Sequence, residues 1–159
     1  VRAGGGEAHR GEAVFQRVCF ACHNIGNRGK AFGPDLSDIG KRLSKEEIIK
    51  SIVWPSEEIT KGYETVVVVT GDGKSISGFV IEEDENTLVL GVAEGKVQRF
   101  DKSDLEERKD MKASSMPEGL TKTIAPIEFL DLVEYLQVQK TPVEKASPSN
   151  QDDAHRVSP

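Results

Sequence analysis

Residues 19–23 constrain this chain more than any other stretch: Cys19-Phe20-Ala21-Cys22-His23, with no further cysteine anywhere. Two thiols three positions apart sit about one helical turn from each other. That is the separation needed to add across the two vinyl groups on one porphyrin edge. The imidazole of the next residue then swings under the ring and reaches the iron. C-x-x-C-H is therefore the attachment signature of a covalently bound haem. Without the histidine, the pair would read as a redox dithiol or half of a zinc site. A zinc site needs two more soft ligands, and His9 and His155 are poorly placed to supply them.

The rest of the composition narrows the class. The 159 residues suffice for one domain, or for a domain carrying an insertion. A net charge of −6 argues against nucleic acid as a partner, because phosphate binding needs a basic face. No apolar run is long enough for a transmembrane segment. Covalent haem attachment implies a compartment outside the cytoplasm, so the expected location is periplasmic or otherwise exported, with the export signal already removed. Both cysteines serve the porphyrin, leaving none for a disulfide.

Taken in order, the chain changes period twice. Residues 1–7 are Gly-rich and read as a flexible leader. Residues 8–19 read as a short amphipathic helix with Val14 and Val18, and Phe15 and Cys19, spaced four apart. Gly11 on that helix invites a close crossing by another helix, with Phe15 inserting beside it. Residues 24–40 read as loop. Within it, Gly33-Pro34-Asp35-Leu36 forms a stiff turn eleven residues after His23. A proximal histidine needs an acceptor for its second ring nitrogen, and the Pro34 carbonyl is the candidate. Ser44 and Glu47 spell a capping box ahead of a helix that Pro55 stops. Trp54, the only tryptophan, is expected either beside the haem or closing the core.

From residue 63 the period is that of strands: 63–70, 74–82, 87–92 and 96–101, with turns between them. This predicts an antiparallel meander of four strands, which could curl into a small open barrel. The acidic run 82–85 lacks the spacing of a calcium loop and reads as a solvated turn. Residues 104–112 are highly charged and read as a short helix or an extended edge. Met116 follows, in Ser115-Met116-Pro117-Glu118-Gly119. A methionine among small polar residues before a rigid turn suits a thioether pinned against iron better than a packing residue. Met111, set among charges, is the weaker candidate. Pro126 opens a last, broadly apolar helix with Glu128 in its first turn, and that helix should pack on Gly11 and Phe15. Residues 139–159 have no period and read as a flexible end.

Together these residues resemble a class I cytochrome c: Gly11-x-x-x-Phe15, Cys19-x-x-Cys22-His23, Gly33-Pro34-Asp35-Leu36, Met116-Pro117 and Asp131-Leu132-Val133-Glu134-Tyr135-Leu136. Within that class the chain resembles the haem-binding domain of planctomycete and verrucomicrobial type. That narrower likeness lies in Trp54-Pro55-Ser56, Gly62-Tyr63-Glu64-Thr65, Leu105-Glu106-Glu107-Arg108 and Ser115-Met116-Pro117-Glu118-Gly119-Leu120. The resemblance implies a mainly α cytochrome c fold, three to four helices around the haem, with an inserted four-stranded antiparallel β module, so α+β overall. It divides the chain into a haem domain of 8–59 plus 113–138 and an insert of 60–112. Two features depart from the compact pattern. His23 and Met116 are unusually far apart in sequence, and Ala125 stands where Ser or Thr would cap the last helix better.

The implied cofactor is one covalent haem c, with Cys19, Cys22, His23, Pro34 and Met116 as its binding residues and His23 and Met116 as iron ligands. The implied function is one-electron transfer to and from a redox partner protein or a fused dehydrogenase domain, rather than an enzyme activity of its own. Two other functions stay open. One is a gas or redox sensor, in which Met116 leaves the iron. The other is a peroxidase, which would need an open distal site and an acid–base residue that His9 and His155 are badly placed to provide.

Overall fold

The structure, a computed structural model, describes residues 5–30 and 32–142. It contains helices and a five-stranded antiparallel sheet, an α+β fold. Helix α1 spans Ala8–Val18 and helix α4 spans Pro126–Gln137. Between them lie α2 (Ile39–Arg42) and α3 (Lys45–Val53). Helix α3 opens with the expected capping box. The Glu47 N–H donates to Ser44 Oγ (3.3 Å), and the Ser44 N–H donates to Glu47 Oε2 (2.7 Å). At α4 only half of such a box exists, because Ala125 has no side-chain acceptor; its N–H donates to Glu128 Oε2 (3.1 Å).

Helices α1 and α4 cross so closely that Gly11 has no room for a side chain. A Cβ there would lie 2.0 Å from the Asp131 carbonyl oxygen and 2.5 Å from Tyr135 Cβ. Phe15 fills the space beside it at 1% exposure, with its ring 5.6 Å from that of Tyr135. Burying such a side chain contributes about 1.5–3 kcal/mol. One core cluster is built on this crossing, with Val14, Phe15, Ile48, Ile52, Leu132 and Leu136 among its members.

Asp131 fastens the crossing. It is buried, and its carboxylate accepts from the Glu7 N–H (2.6 Å) and from Arg10 Nε (2.8 Å) and Nη2 (3.0 Å). These bonds hold its carboxyl below the usual carboxylate range, the Arg10 hydrogen bond first among the causes. They also bear on the expected flexible ends. Residues 1–4 and 143–159 lie outside the described residues, but Glu7 is tied to α4, and the Thr141 N–H donates to the Ser37 carbonyl (3.2 Å).

The loop after the Cys-His motif is more regular than a bare loop. Two short strands, β1 (Asn24–Ile25) and β2 (Arg28–Gly29), pair antiparallel across a turn in which Gly26 and Asn27 both have positive φ.

The sheet comprises β3 (Glu64–Thr70), β4 (Ser75–Glu83), β5 (Thr87–Val92), β6 (Lys96–Asp101) and β7 (Leu105–Ser114), in the order β6-β5-β4-β3-β7. Four strands were expected in the meander, and β7 adds a fifth; of the two readings held for residues 104–112, a short helix or an extended edge, the structure has the edge. Its sequence, LEERKDMKAS, is highly charged. It lies at the edge of the sheet, paired only with β3, and charged side chains suit an exposed edge. Three residues, Lys102–Asp104, connect β6 at one edge to β7 at the other. A flat sheet of this order would set its edge strands about 19 Å apart. Such a connection reaches only about 14 Å. The sheet is therefore rolled into an open barrel around Val66, Val68, Leu88, Leu90 and Val92, a second core cluster that shares no residue with the first.

Trp54 corrects both expectations held for it. It is 56% exposed at the end of α3, neither in the core nor on the cavity described below. The acidic run is a turn only in its second half, since Glu82 and Glu83 end β4. The Asp84 carboxylate accepts from the Asn86 and Thr87 N–H groups (2.8 and 2.7 Å), and Glu83 pairs with Lys102 (2.8 Å) and Arg108 (2.6 Å).

Two outcomes follow for the crossing. Gly11→Ala, with backbone 2.0 Å from its new methyl group, destabilises by about 1–3 kcal/mol or more in chemical denaturation. Asp131→Ala costs about 1–3 kcal/mol at neutral pH by removing the acceptor that Arg10 and the Glu7 N–H share, with Arg10 keeping its ion pair to Glu7 (3.0 Å). Because the Asp131 pKa is depressed on folding, its contribution is full above its ordinary value of 3.8 and is lost as pH falls through the lower folded value. The wild type and Asp131→Ala therefore converge in stability below that range.

Candidate functional site

One cavity of about 280 Å³ lies between the helices, the loop after the Cys-His motif and the near side of the sheet. Cys19, Cys22, His23, Pro34 and Met116 all line it. Met111, on β7, does not.

The cysteines stand where α1 ends. The Cys19 N–H donates to the Phe15 carbonyl (2.8 Å), and the chain then tightens: the Cys22 and His23 N–H groups both donate to the Cys19 carbonyl (3.1 and 2.9 Å). That single turn places both sulfurs and the imidazole on the cavity wall. Burial pushes the Cys19 thiol up to about 12, with the neighbouring Cys22 adding to the rise, and burial raises Cys22 as well. That direction is the opposite of the lowered thiol pKa on which redox-active dithiols depend.

His23 is held by its own loop. Its Nδ1 lies 2.8 Å from the Pro34 carbonyl oxygen. A carbonyl can only accept, so Nδ1 carries the proton, and the lone pair belongs to Nε2. Burial lowers the His23 pKa, opposed in part by the bond to Pro34, so the ring is neutral and fit to ligate a metal. Gly33 makes this geometry possible. A Cβ there would stand 2.6 Å from His23 Cε1 and 2.8 Å from Nδ1. Backbone bonds pin the same loop from both sides: the Gly33 N–H donates to the Cys22 carbonyl (2.6 Å) and the Leu36 N–H to the Asn24 carbonyl (3.0 Å). Below the turn, Asp35 accepts from the Ser37 N–H (2.7 Å) and from Asn24 Nδ2 (2.6 Å).

Met116 reaches the cavity from the opposite direction in sequence. Its N–H donates to Ser114 Oγ (3.1 Å), the Ser114 N–H donates to Ser56 Oγ (3.2 Å), and the hydroxyls of Thr65 and Ser115 share a 2.8 Å bond. The loop therefore hangs directly from the end of β7. Leu36, Ile48, Ile52, Pro55 and Leu136 make much of the remaining wall apolar. The donor set and the wall fit a haem: two thiols on one turn, a neutral imidazole with a free Nε2, a thioether, and a dry surround.

Reasoning from sequence missed Phe32 and Phe79 on the cavity, and met Tyr63 only as part of the 63–70 strand and the Gly62-Tyr63-Glu64-Thr65 stretch, with no place at the site. A lone phenylalanine in a loop or a strand carries no motif, so no pattern announces it. His9 is exposed and lies 3.5 Å from Glu7, away from the cavity, while His155 lies outside the described residues. Among the described residues, no group of three or more His, Cys, Asp or Glu side chains could hold a metal ion, and none of the helices is long and apolar enough to cross a membrane.

Comparison with known proteins points the same way as the cavity. Residues 6–61, about a third of the chain, match the family described as cytochrome C oxidase, cbb3-type, subunit III. A stretch of 48 residues is 42% identical to a protein of Synechocystis sp. named "Cytochrome c-553-like". That alignment covers 30% of this chain and 45% of the relative, so the chain spans about half the length of the curated protein it matches. Residues 6–61 are thus similar to cytochrome c-type domains, a family that implies haem c.

Gly33→Val tests the support of the imidazole. The added side chain displaces the His23 ring from the Pro34 carbonyl. Losing such a partner typically weakens a metal–ligand bond about 10–100-fold. With the haem that the family implies bound, the absorption spectrum of the variant should show a larger high-spin fraction than that of the wild type.

Proposed function

We propose that this chain is a c-type cytochrome that binds a single haem and transfers one electron at a time. The observation that carries the reading is the convergence of Cys19, Cys22, His23 and Met116 on one apolar cavity, with the His23 tautomer set by Pro34. Cys19 and Cys22 would hold the porphyrin covalently, and His23 Nε2 and the Met116 sulfur would hold the iron. The haem supplies an iron that moves between ferric and ferrous states.

The chain's own residues prepare that site. Pro34 orients the imidazole and fixes its proton on Nδ1. Gly33 leaves the ring its place. Leu36, Ile48, Ile52 and Leu136 exclude water. Exclusion of water and a soft thioether both favour the ferrous state, so the potential is higher than that of a His/His haem. If His23 Nε2 and the Met116 sulfur both held the iron, they would leave it no place for a substrate, which favours a carrier over an enzyme.

The division into a haem domain (8–59 plus 113–138) and an inserted β module (60–112) is supported by the two separate core clusters. The narrower likeness to the planctomycete and verrucomicrobial haem-binding domain rests on the motif stretches alone. A redox protein or a fused dehydrogenase domain would serve as partner. Covalent haem chemistry favours a periplasmic or otherwise exported location.

Two measurements test this reading. Acidified acetone leaves the haem on the polypeptide if both thiols are bonded to it, and extraction would refute the attachment. Met116→Ala gives a high-spin or water-bound ferric haem, opens the reduced form to carbon monoxide and lowers the potential, whereas Met111→Ala leaves the spectrum nearly unchanged. The reverse pattern would move the ligand to Met111, and no effect from either would remove the thioether from the iron.

A further inference from the structure

One large side chain of β4 belongs to neither core. Strand alternation turns Ile76 and Val80 toward the barrel interior and Phe79 to the outer face. An outward aromatic on a small barrel is ordinarily wet, yet Phe79 is only 8% exposed. Its ring lies over Gly91, its cross-strand partner on β5, where a Cβ would come within 2.5 Å of Cζ and 2.7 Å of Cε1. The ring thus occupies a seat that only glycine leaves open. Two more rings flank it: Tyr63, with centroids 4.9 Å apart, and Phe32, 5.6 Å apart.

These three aromatics come from three segments: the loop after the Cys-His motif, the connection into β3, and β4 itself. All three line the cavity that contains Cys22 and His23. A joint serving only to dock the barrel on the helices would have no need to open onto that cavity. Burial in the same place pushes the Tyr63 phenol above its ordinary pKa, as expected behind a dry wall.

We propose that Phe79, seated on Gly91 and flanked by Tyr63 and Phe32, is the residue through which the β-sheet closes the haem cavity against water and thereby raises the redox potential. The inference rests on the haem reading above and assigns the sheet a part in it. Water admitted beside a haem stabilises the more highly charged ferric state, so a breach in this wall favours oxidation.

The test uses the full haem-loaded chain and compares midpoint potentials of the wild type, Phe79→Ala, Phe79→Leu, Gly91→Ala and Ile81→Ala. Ile81 is an exposed residue of the same strand that does not line the cavity. Phe79→Ala should raise the ferric-to-ferrous ratio at fixed ambient potential about tenfold, which is 59 mV for one electron. Phe79→Leu should restore most of the wild-type value. Gly91→Ala, which keeps the ring but removes its seat, should shift the potential in the same direction as Phe79→Ala. Ile81→Ala should leave it in place. An unmoved potential in Phe79→Ala, even with a lowered Tm, would make the residue a structural joint and overturn the inference. Should Phe79→Ala fail to fold, an unmoved potential in Gly91→Ala overturns it instead. A wild-type chain that takes up no covalent haem overturns the function itself. A normal wild type beside an unmoved variant overturns only the role of Phe79.

Discussion

The structure depends first on how closely α1 and α4 approach. Gly11 allows the helices to meet backbone to backbone, and Asp131 locks them by binding Arg10 and the Glu7 N–H at once. Everything around the cavity is referred to that contact. Helix α1 delivers Cys19 from its C-terminal end, and α4 contributes Leu136 to the wall. A looser crossing would separate the turn that carries the cysteines from the apolar surface opposite it. The lock is ionic and partly buried, so it fixes geometry more than it adds stability: taking the charges from water offsets much of their attraction.

On that frame the Cys-His turn acquires a rigid back wall. The bond from His23 to Pro34 is short and local, but the Pro34 carbonyl is in place only because the loop is itself tied down. The β1–β2 hairpin, the Gly33 and Leu36 backbone bonds and the Asp35 turn all serve that end. A free imidazole would sample two tautomers and a range of ring angles. Here the acceptor, the missing Cβ at Gly33 and the buried setting remove those choices before any metal arrives.

The sheet is less detached from this site than an inserted module need be. Its interior is a separate core, but its boundary with the helices is chemically active ground. β7 runs straight into the Met116 loop, Thr65 shares a hydroxyl bond with Ser115, and Phe79 reaches the cavity wall. Barrel closure is what makes this possible. Rolling the sheet brings β7 round beside β3, so the strand that leaves the barrel does so next to the strand that enters it.

Much was legible in the linear chain because it is written in local chemistry. The Cys19–Cys22–His23 spacing, the Ser44–Glu47 capping box, the Gly33-Pro34 turn and the turn-bounded strands β3 to β6 each depend on neighbours only a few residues away. What was not legible depends on partners distant in sequence. Strand β7 could be read as a helix or an extended edge, because its charges suit either surface, and the choice is made by its pairing with β3. Trp54 looked like a core residue by type, yet the apolar space was already filled by Ile48 and Ile52. Asp131 stood in the sequence only as the start of the Asp131–Leu136 stretch, and nothing local showed that α1 would bring Arg10 and the Glu7 N–H against it. Phe79 carried no signal, because a lone phenylalanine gains meaning only from the glycine across the strand and the cavity beyond. The sequence by itself determined the chemistry that the site can perform, since that chemistry is encoded in covalent spacing. Only the tertiary structure decided what surrounds it, since walls and locks are built from residues whose nearness is a property of packing.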